Sequence, residues 1–370
     1  MVKFRMSKAR LSNALKAVQS VVPTKGTIPI LSNVKIDVTS GEDGTGKISF
    51  TATDLDTTLI CADICDVECE GTTTLPVKWF APAVSKLADG LVEVDVDENE
   101  RASIVAGSAS FRVSGLPATD FPKMSTDANG LTCTIKQNVL SSMLKMVVFA
   151  TSIDGTRRTL CGTLMSFSEG NVNFVATDGR RLATYGTKIA YEGADTQIIV
   201  PSKTVSELLR SLSGDADCKI ITHGTNMVEF DMGSVRLISK LIDDVYPNYK
   251  QVIPASRKYE IAIDRHMLYD AVDRVSLFAD DATNSCKLTF TQGQLLLRSV
   301  SADMGEGADS VPIKYEGEQI EIMFNPHYIS DILKPMVDDT VVVKIEDGHS
   351  PAVFNTSSES FCVLMPLRIQ

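Results

Sequence analysis

Histidine is scarce in this 370-residue sequence, with only His223, His266, His327 and His349. No two of them stand in HxH or HxxxH spacing, so the common metal-ligand and general-base arrangements have little to be built from. The phosphate-cradling GxxxxGK[ST], a GxGxxG following a strand and the nucleophile elbow GxSxG are all missing. An enzyme is therefore not expected, and neither is a cofactor. No apolar run approaches the ~18–20 residues that span a bilayer. The opening Met1-Val2-Lys3-Phe4-Arg5-Met6-Ser7 lacks the apolar core of a secretion signal. A cytoplasmic protein without membrane contact is the expectation. Five of the eight cysteines are scattered singly, which argues against a secreted disulfide framework. Cys61, Cys65 and Cys69 cluster, but without a CxxC pair or a nearby histidine and within a strand-like run. Reduced, partly buried thiols are expected there, and no metal. Positive charge is also short: 36 Lys and Arg stand against 47 Asp and Glu, a net −11. That sum speaks against gripping nucleic acid by affinity. It leaves open a basic face on an acidic body.

What the sequence does contain is a long repeat. Pro76, Pro201 and Pro326 stand 125 residues apart. Each opens an amphipathic helical pattern, where proline suits the first turn. Ala52-Thr53-Asp54 returns as Ala176-Thr177-Asp178 and, more weakly, as Ser301-Ala302-Asp303, with the aspartates 124 and 125 residues apart. Asp120-Phe121-Pro122 and Val245-Tyr246-Pro247 close the first two units, their prolines again 125 apart. The period exceeds the ~20–50 residues of solenoid repeats and matches a small domain. Three tandem domains of one fold are expected, at 1–125, 126–253 and 254–370. The linkers fall in the polar segments 122–130 and 254–258.

Each unit starts with a short strand, at 2–6, 131–136 and 259–263, followed by an amphipathic helix at 8–21, 137–150 and 265–278. In the first helix Leu11, Leu15 and Val18 share one face. Alternating strands follow at 34–38, 47–53 and 59–67. Then come the proline-started helix and strands at 92–97, 103–106 and 110–114. Two helices and several antiparallel strands per unit make an α+β class, with helices on one face of a sheet. Asp54, Asp178 and Asp303 read as turn formers whose carboxylates accept local N–H groups.

Lys8, Arg10, Lys78, Lys136, Lys203 and Arg210 fall on the helices, whereas acidic runs favour strands and loops, as at 63–70 and 93–100. Two readings stay open. The helices line a relatively basic surface that tolerates DNA without gripping it, or these are ordinary solvated helix faces.

The segment Ala176-Thr177-Asp178-Gly179-Arg180-Arg181-Leu182-Ala183 resembles the central motif of the beta subunit of bacterial DNA polymerase III, the sliding-clamp family. Three more segments match that family in order and spacing. They are Ile28-Pro29-Ile30-Leu31-Ser32-Asn33, then Lys240-Leu241-Ile242-Asp243-Asp244-Val245-Tyr246-Pro247-Asn248-Tyr249, and Val363-Leu364-Met365-Pro366-Leu367-Arg368. The resemblance covers the full length. It implies three clamp domains with helices inside and antiparallel sheets outside, closed into a ring as a head-to-tail homodimer. It implies a processivity factor that encloses double-stranded DNA without regard to sequence and tethers the replicative polymerase at high effective concentration. The other partners it implies are an ATP-driven clamp loader, repair polymerases, ligase and mismatch-repair proteins, all bound through short clamp-binding peptides. The rival reading is a non-enzymatic protein that holds DNA by electrostatic affinity instead of enclosure.

Carried over position by position, the resemblance places a first peptide pocket at Leu160, Thr177, Gly179, Arg180, Arg181, Leu182, Pro247, Val252, Val363 and Met365. An adjoining groove falls at Tyr328, Pro366, Leu367 and Arg368. A methionine and aliphatic cluster suits varied peptides. Thr159, where an aromatic residue is common, and Gln251, where a basic one is common, depart from the family pattern. The implied subunit contact joins Phe111, Arg112 and Val113 to Leu277 and Phe278, with Lys78 and Arg112 pairing with Glu306 and Asp309. Lys25 and Arg157 fall at DNA-facing positions.

Overall fold

The computed structural model describes residues 1–23, 28–41, 45–123, 128–224, 226–280 and 283–367. Six α-helices recur in pairs along it: α1 (Lys8–Gln19), α2 (Val77–Lys86), α3 (Gln137–Lys145), α4 (Ser202–Ser211), α5 (Arg265–Ser276) and α6 (Pro326–Leu333). Local chemistry sets their starts. The Ser7 hydroxyl accepts the Arg10 N–H at 3.4 Å, and the Asp264 and Asn325 side chains cap α5 and α6 in the same way. Pro76 is the residue before α2 and Pro326 is the first residue of α6. In α1, Leu11, Ala14, Leu15 and Val18 form the buried stripe; Leu268, Ala271, Val272 and Val275 do so in α5. The second repeat's first helix is shorter than its sequence period suggests. It ends at Lys145, and Val148–Ala150 continues as a 3-10 turn. The β-branched pair Val147-Val148 at that point disfavours another α-turn.

The chain forms two compact units, one of Met1–Asn138 with Ser206–Leu241, the other of Val139–Val205 with Ile242–Gln370. The central repeat is thus divided between them. The first unit is built on a 12-stranded antiparallel sheet. Its main path runs Ala109–Ser114, Arg101–Ala106, Leu91–Val96, Val2–Ser7, Thr57–Cys69, Val235–Lys240, Met227–Asp231, Asp217–His223, Ala128–Lys136. The strands Asn33–Thr39, Thr45–Thr53 and Gly71–Pro76 branch from it. Helix α1 lies on α2 and on the strands Thr45–Thr53 and Thr57–Cys69. The buried side chains Phe4, Phe50, Phe80, Leu11 and Leu15 fill this core.

The second unit holds an eight-stranded and a four-stranded sheet. The larger runs Thr196–Pro201, Gly162–Ser168, Asn171–Thr177, Arg181–Lys188, Ser360–Leu364, Ala352–Asn355, Thr340–Ile345, Tyr259–Asp264. The smaller runs Gly305–Pro312, Gln294–Ser301, Cys286–Thr291, Ile320–Phe324, and α5 packs on it and on α6.

Two contacts join strands of different repeats. Val235–Lys240 pairs with Thr57–Cys69, placing Val235 opposite Cys61 and Ser239 opposite Thr57. Arg181–Lys188 pairs with Ser360–Leu364, placing Tyr185 opposite Ser360 and Arg181 opposite Leu364. Shifted by one repeat, these are the same contact in the same register. Two strands of the corresponding kind, Ala109–Ser114 and Gly305–Pro312, end their sheets with a partner on one side only among the described residues. No helix among the described residues is long and apolar enough to cross a membrane.

Candidate functional site

The turn at 177–182 is shaped by its own side chains. Asp178 Oδ1 accepts the N–H groups of Arg180 at 2.8 Å and Arg181 at 2.9 Å. Asp54 Oδ1 does the same for Asp56 and Thr57 one repeat earlier, so both aspartates are turn formers. Thr177 Oγ1 accepts the Gly179 N–H and donates to the Arg181 carbonyl. Gly179 adopts φ +86°, which favours glycine.

Beneath this turn lies an apolar cluster of Leu164, Val175, Leu182, Ile199, Tyr246, Val353 and Val363, with Leu160, Ile242, Tyr249, Ile253 and Phe361 packed against it. The structure therefore sorts the expected pocket residues by depth. Leu182 and Val363 face each other across the strand pair and are core. Leu160, Thr177, Arg181, Tyr328, Met365, Pro366 and Leu367 are half-buried, while Gly179, Arg180, Pro247 and Val252 are exposed. The C-terminal segment is tied in on both sides: Met365 N–H donates to the Arg180 carbonyl at 3.0 Å, and Leu367 N–H to the Met323 carbonyl at 2.8 Å. Tyr246 and Tyr249 stand in a family-matching segment but are not among the expected pocket residues. The Tyr246 hydroxyl accepts the Thr177 N–H at 3.1 Å, and burial pushes its pKa up. The Tyr249 hydroxyl accepts from the Asn173 amide. Arg368 and Lys25 lie outside the described residues.

Most of the expected DNA-facing cations carry an acid of their own. Lys8 pairs with Asp89 at 3.2 Å, Lys136 with Asp217 at 2.6 Å and Arg210 with Glu207 at 2.5 Å. Arg10 Nε donates to Asp63 Oδ2 at 2.9 Å. Arg157 sits beside the 177–182 turn, with Nε 3.5 Å from Asp154 and Nη1 donating to the Asp178 carbonyl at 3.1 Å. Hydrogen bonds from Thr156 hold the Asp154 carboxyl below its usual range. Lys203 is exposed on α4.

At the strand Ala109–Ser114 a cavity of about 710 Å³ opens between that strand and α2. Trp79, Pro82, Ala83, Phe111 and Val113 line it, with Lys86 and Arg112. Trp79 is 64% exposed and Lys78 Nζ lies 5.5 Å from its ring centre. A signal for Trp79 was available: Val77, Phe80 and Val84 make the buried stripe of α2, and Trp79 falls off it. Large exposed apolar groups of this kind mark contact surfaces. Beside the strand Gly305–Pro312, Leu277 is 72% exposed, and the Phe278 ring covers Gly307 so closely that an added Cβ would lie 2.6 Å from it. Within the chain Glu306 is paired with Arg298, and Asp309 with Arg274 at 2.6 Å. Their expected counterparts Lys78 and Arg112 belong to the other edge.

Comparison with known proteins covers the chain end to end. Family models of the DNA polymerase III beta subunit match in three parts: the N-terminal domain over 2–125, the central domain over 134–248 and the C-terminal domain over 250–368. A beta sliding clamp of Chlamydia muridarum is 33% identical over 369 residues, spanning 100% of this chain and 99% of that one. Among solved structures, a sliding clamp of Pseudomonas aeruginosa bound to griselimycin superposes with a TM-score of 0.92 at 29% identity, covering 100% of both chains. The Caulobacter crescentus beta sliding clamp gives 0.90 at 32% identity, over 100% of this chain and 99% of that one.

Proposed function

This chain belongs to the DNA polymerase III beta subunit family, the bacterial beta sliding clamps, and on that footing we propose how its own residues do a DNA sliding clamp's work. Two copies join head to tail, each contributing domains at 1–125, 126–253 and 254–370, and the ring encloses duplex DNA of any sequence. One observation carries this reading. The strand contact of Val235–Lys240 with Thr57–Cys69 recurs in register as Ser360–Leu364 with Arg181–Lys188. Among the described residues, the strands left to make it a third time are Ala109–Ser114 of one copy and Gly305–Pro312 of another. Pairing them removes two open sheet edges at once. The cavity at Trp79, Phe111 and Val113 then receives Leu277 of the second copy, and Lys78 and Arg112 meet Glu306 and Asp309. Exposed ion pairs contribute only about 0–1 kcal/mol each, so the apolar contact dominates.

The DNA-facing cations would be Lys8, Arg10, Lys78, Lys136, Arg157, Lys203 and Arg210. Several already hold a carboxylate, so they give phosphates little net attraction. Weak attraction suits a ring that holds DNA by topology and must slide. The pocket of Leu160, Thr177, Gly179, Met365 and their neighbours, with the groove at Tyr328, Pro366 and Leu367, takes short apolar peptides of the polymerase, clamp loader and repair proteins. The clamp acts in the cytoplasm and catalyses nothing; ATP is spent by the loader.

The test is retention on DNA. The protein is loaded on nicked circular plasmid by a matching clamp loader with ATP and washed in high salt; half the sample is then linearised. Persistence on circles with rapid loss from linear DNA is the expected result. Equal, salt-sensitive loss from both would mean electrostatic binding and would overturn enclosure.

A further inference from the structure

Beside the proposed groove sits a guanidinium with an answer for every face. The Arg181 side chain is only 9% exposed. Its Nε donates to Asp178 Oδ2 at 3.2 Å, its Nη1 to Asp331 Oδ2 at 2.6 Å and its Nη2 to the Phe149 carbonyl at 2.6 Å. Its Cζ lies 4.2 Å from the centre of the Tyr328 ring and 5.4 Å from that of Phe149. A cation this deep is tolerated only where its charge is met and its donors are used. The planar fork of arginine does both while offering its face to an aromatic ring.

The groove's residues come from distant parts of the chain. Leu160 and the turn at 177–182 belong to the central repeat, and Tyr328 stands on α6. Asp331 is three residues further along α6, the spacing that places two side chains side by side on a helix. One guanidinium therefore stacks on Tyr328, is held by Asp331 and is anchored by its own backbone in the turn.

We propose that Asp331 is a positioning residue for partner binding: it holds Arg181, which fixes the Tyr328 ring against the 177–182 turn so that the groove is formed before a peptide arrives. This rests on the partner-groove reading above. Asp331 need not touch the peptide. Its effect is preorganisation, which raises affinity by lowering the ordering cost at binding.

The test uses the full-length protein and griselimycin, the ligand of the Pseudomonas aeruginosa relative, titrated by calorimetry. Asp331→Ala is expected to weaken binding by about fivefold to tenfold, as loss of preorganisation does, with Asp331→Asn in between. In a Tyr328→Ala background the same change should cost nothing further, because the ring it positions is gone. Equal losses in both backgrounds would overturn the proposal, since a residue that acts only through the Tyr328 ring has no effect left once that ring is removed. So would full affinity in Asp331→Ala where Tyr328→Ala and Met365→Ala bind weakly. If Tyr328→Ala and Met365→Ala both bind as the parent does, the groove reading fails, and the proposal with it. A ligand-free measurement stands beside these. Fluorotyrosine at position 328 should give one resonance displaced from that of free fluorotyrosine, and Asp331→Ala should move it toward the free value. An unmoved resonance would overturn the positioning role.

Discussion

Ser360 stands opposite Tyr185 across two antiparallel strands, as Val235 stands opposite Cys61 one repeat earlier. The subunit contact proposed from this recurrence places Leu277 in the Trp79 cavity of a second copy. Leu277→Asp should therefore turn a dimer into a monomer. Phe278→Asp should do the same, but it also strips the cover from Gly307, so Leu277 is the cleaner probe. Light scattering on an eluting peak should fall from about twice 40.1 kDa to 40.1 kDa. A dimer of undiminished mass in both variants would end this interface assignment.

Met365 is half-buried in the C-terminal segment, its backbone tied to Arg180. Met365→Ala keeps that backbone bond and removes the flexible side chain proposed to line the peptide pocket. Griselimycin or partner-peptide affinity should drop about tenfold, roughly 1.4 kcal/mol, with the dimer intact. Dissociation into monomers at the same protein concentration would contradict the separation of the two sites.

Asp178 and Asp54 each accept two backbone N–H groups. Asp178→Ala leaves two donors without their acceptor and also removes one of the Arg181 partners. A loss of roughly 1–3 kcal/mol is expected from unmet donors, visible as a lower midpoint in thermal or urea unfolding. Asp54→Ala, which likewise leaves two backbone donors unmet, should lower the midpoint as well. Unchanged midpoints in both variants would refute this account of the turns.

Several carboxyls titrate below their ordinary values: Asp309 through its hydrogen bond with Arg274, Asp347 through the N–H groups of His349 and Ser350, and Asp97 through those of Arg101 and Asn99. A depressed folded pKa means that the unfolded chain binds the proton more tightly. The stabilisation is thus complete above the unfolded value of about 4 and is lost as pH falls through the folded one. Urea midpoints should be level from pH 7 to about 5 and decline below about 4. Asp309→Asn should make that decline shallower; an identical slope would show that the Arg274 contact contributes nothing.

Much of this architecture was legible because it is periodic. Pro76, Pro201 and Pro326 mark three helix starts, and the alternation in Val34-Lys35-Ile36-Asp37-Val38 marks a strand that the structure extends to Asn33–Thr39. What the sequence hid is non-local. Nothing adjacent to Arg181 announces that Asp331, 150 residues away, and the Phe149 carbonyl will share its guanidinium. The depth of Leu182 and Val363 was hidden for the same reason: motif matching names the residues around a pocket, and only packing separates its floor from its rim. Trp79 was visible as an off-stripe aromatic, yet its cavity needs Phe111 and Val113 from a strand far along the chain.

Because strands of the central repeat complete a sheet in each of the two compact units, that repeat is not laid out as a self-contained sheet of its own. A crossover that replaced it with the same stretch from a distant relative would cut two hydrogen-bonded seams, Val235–Lys240 on Thr57–Cys69 and Arg181–Lys188 on Ser360–Leu364. Both seams would have to match on the new flanks at once. A chimaera of that kind is therefore harder to fold than one whose junctions leave both seams within sequence from a single parent.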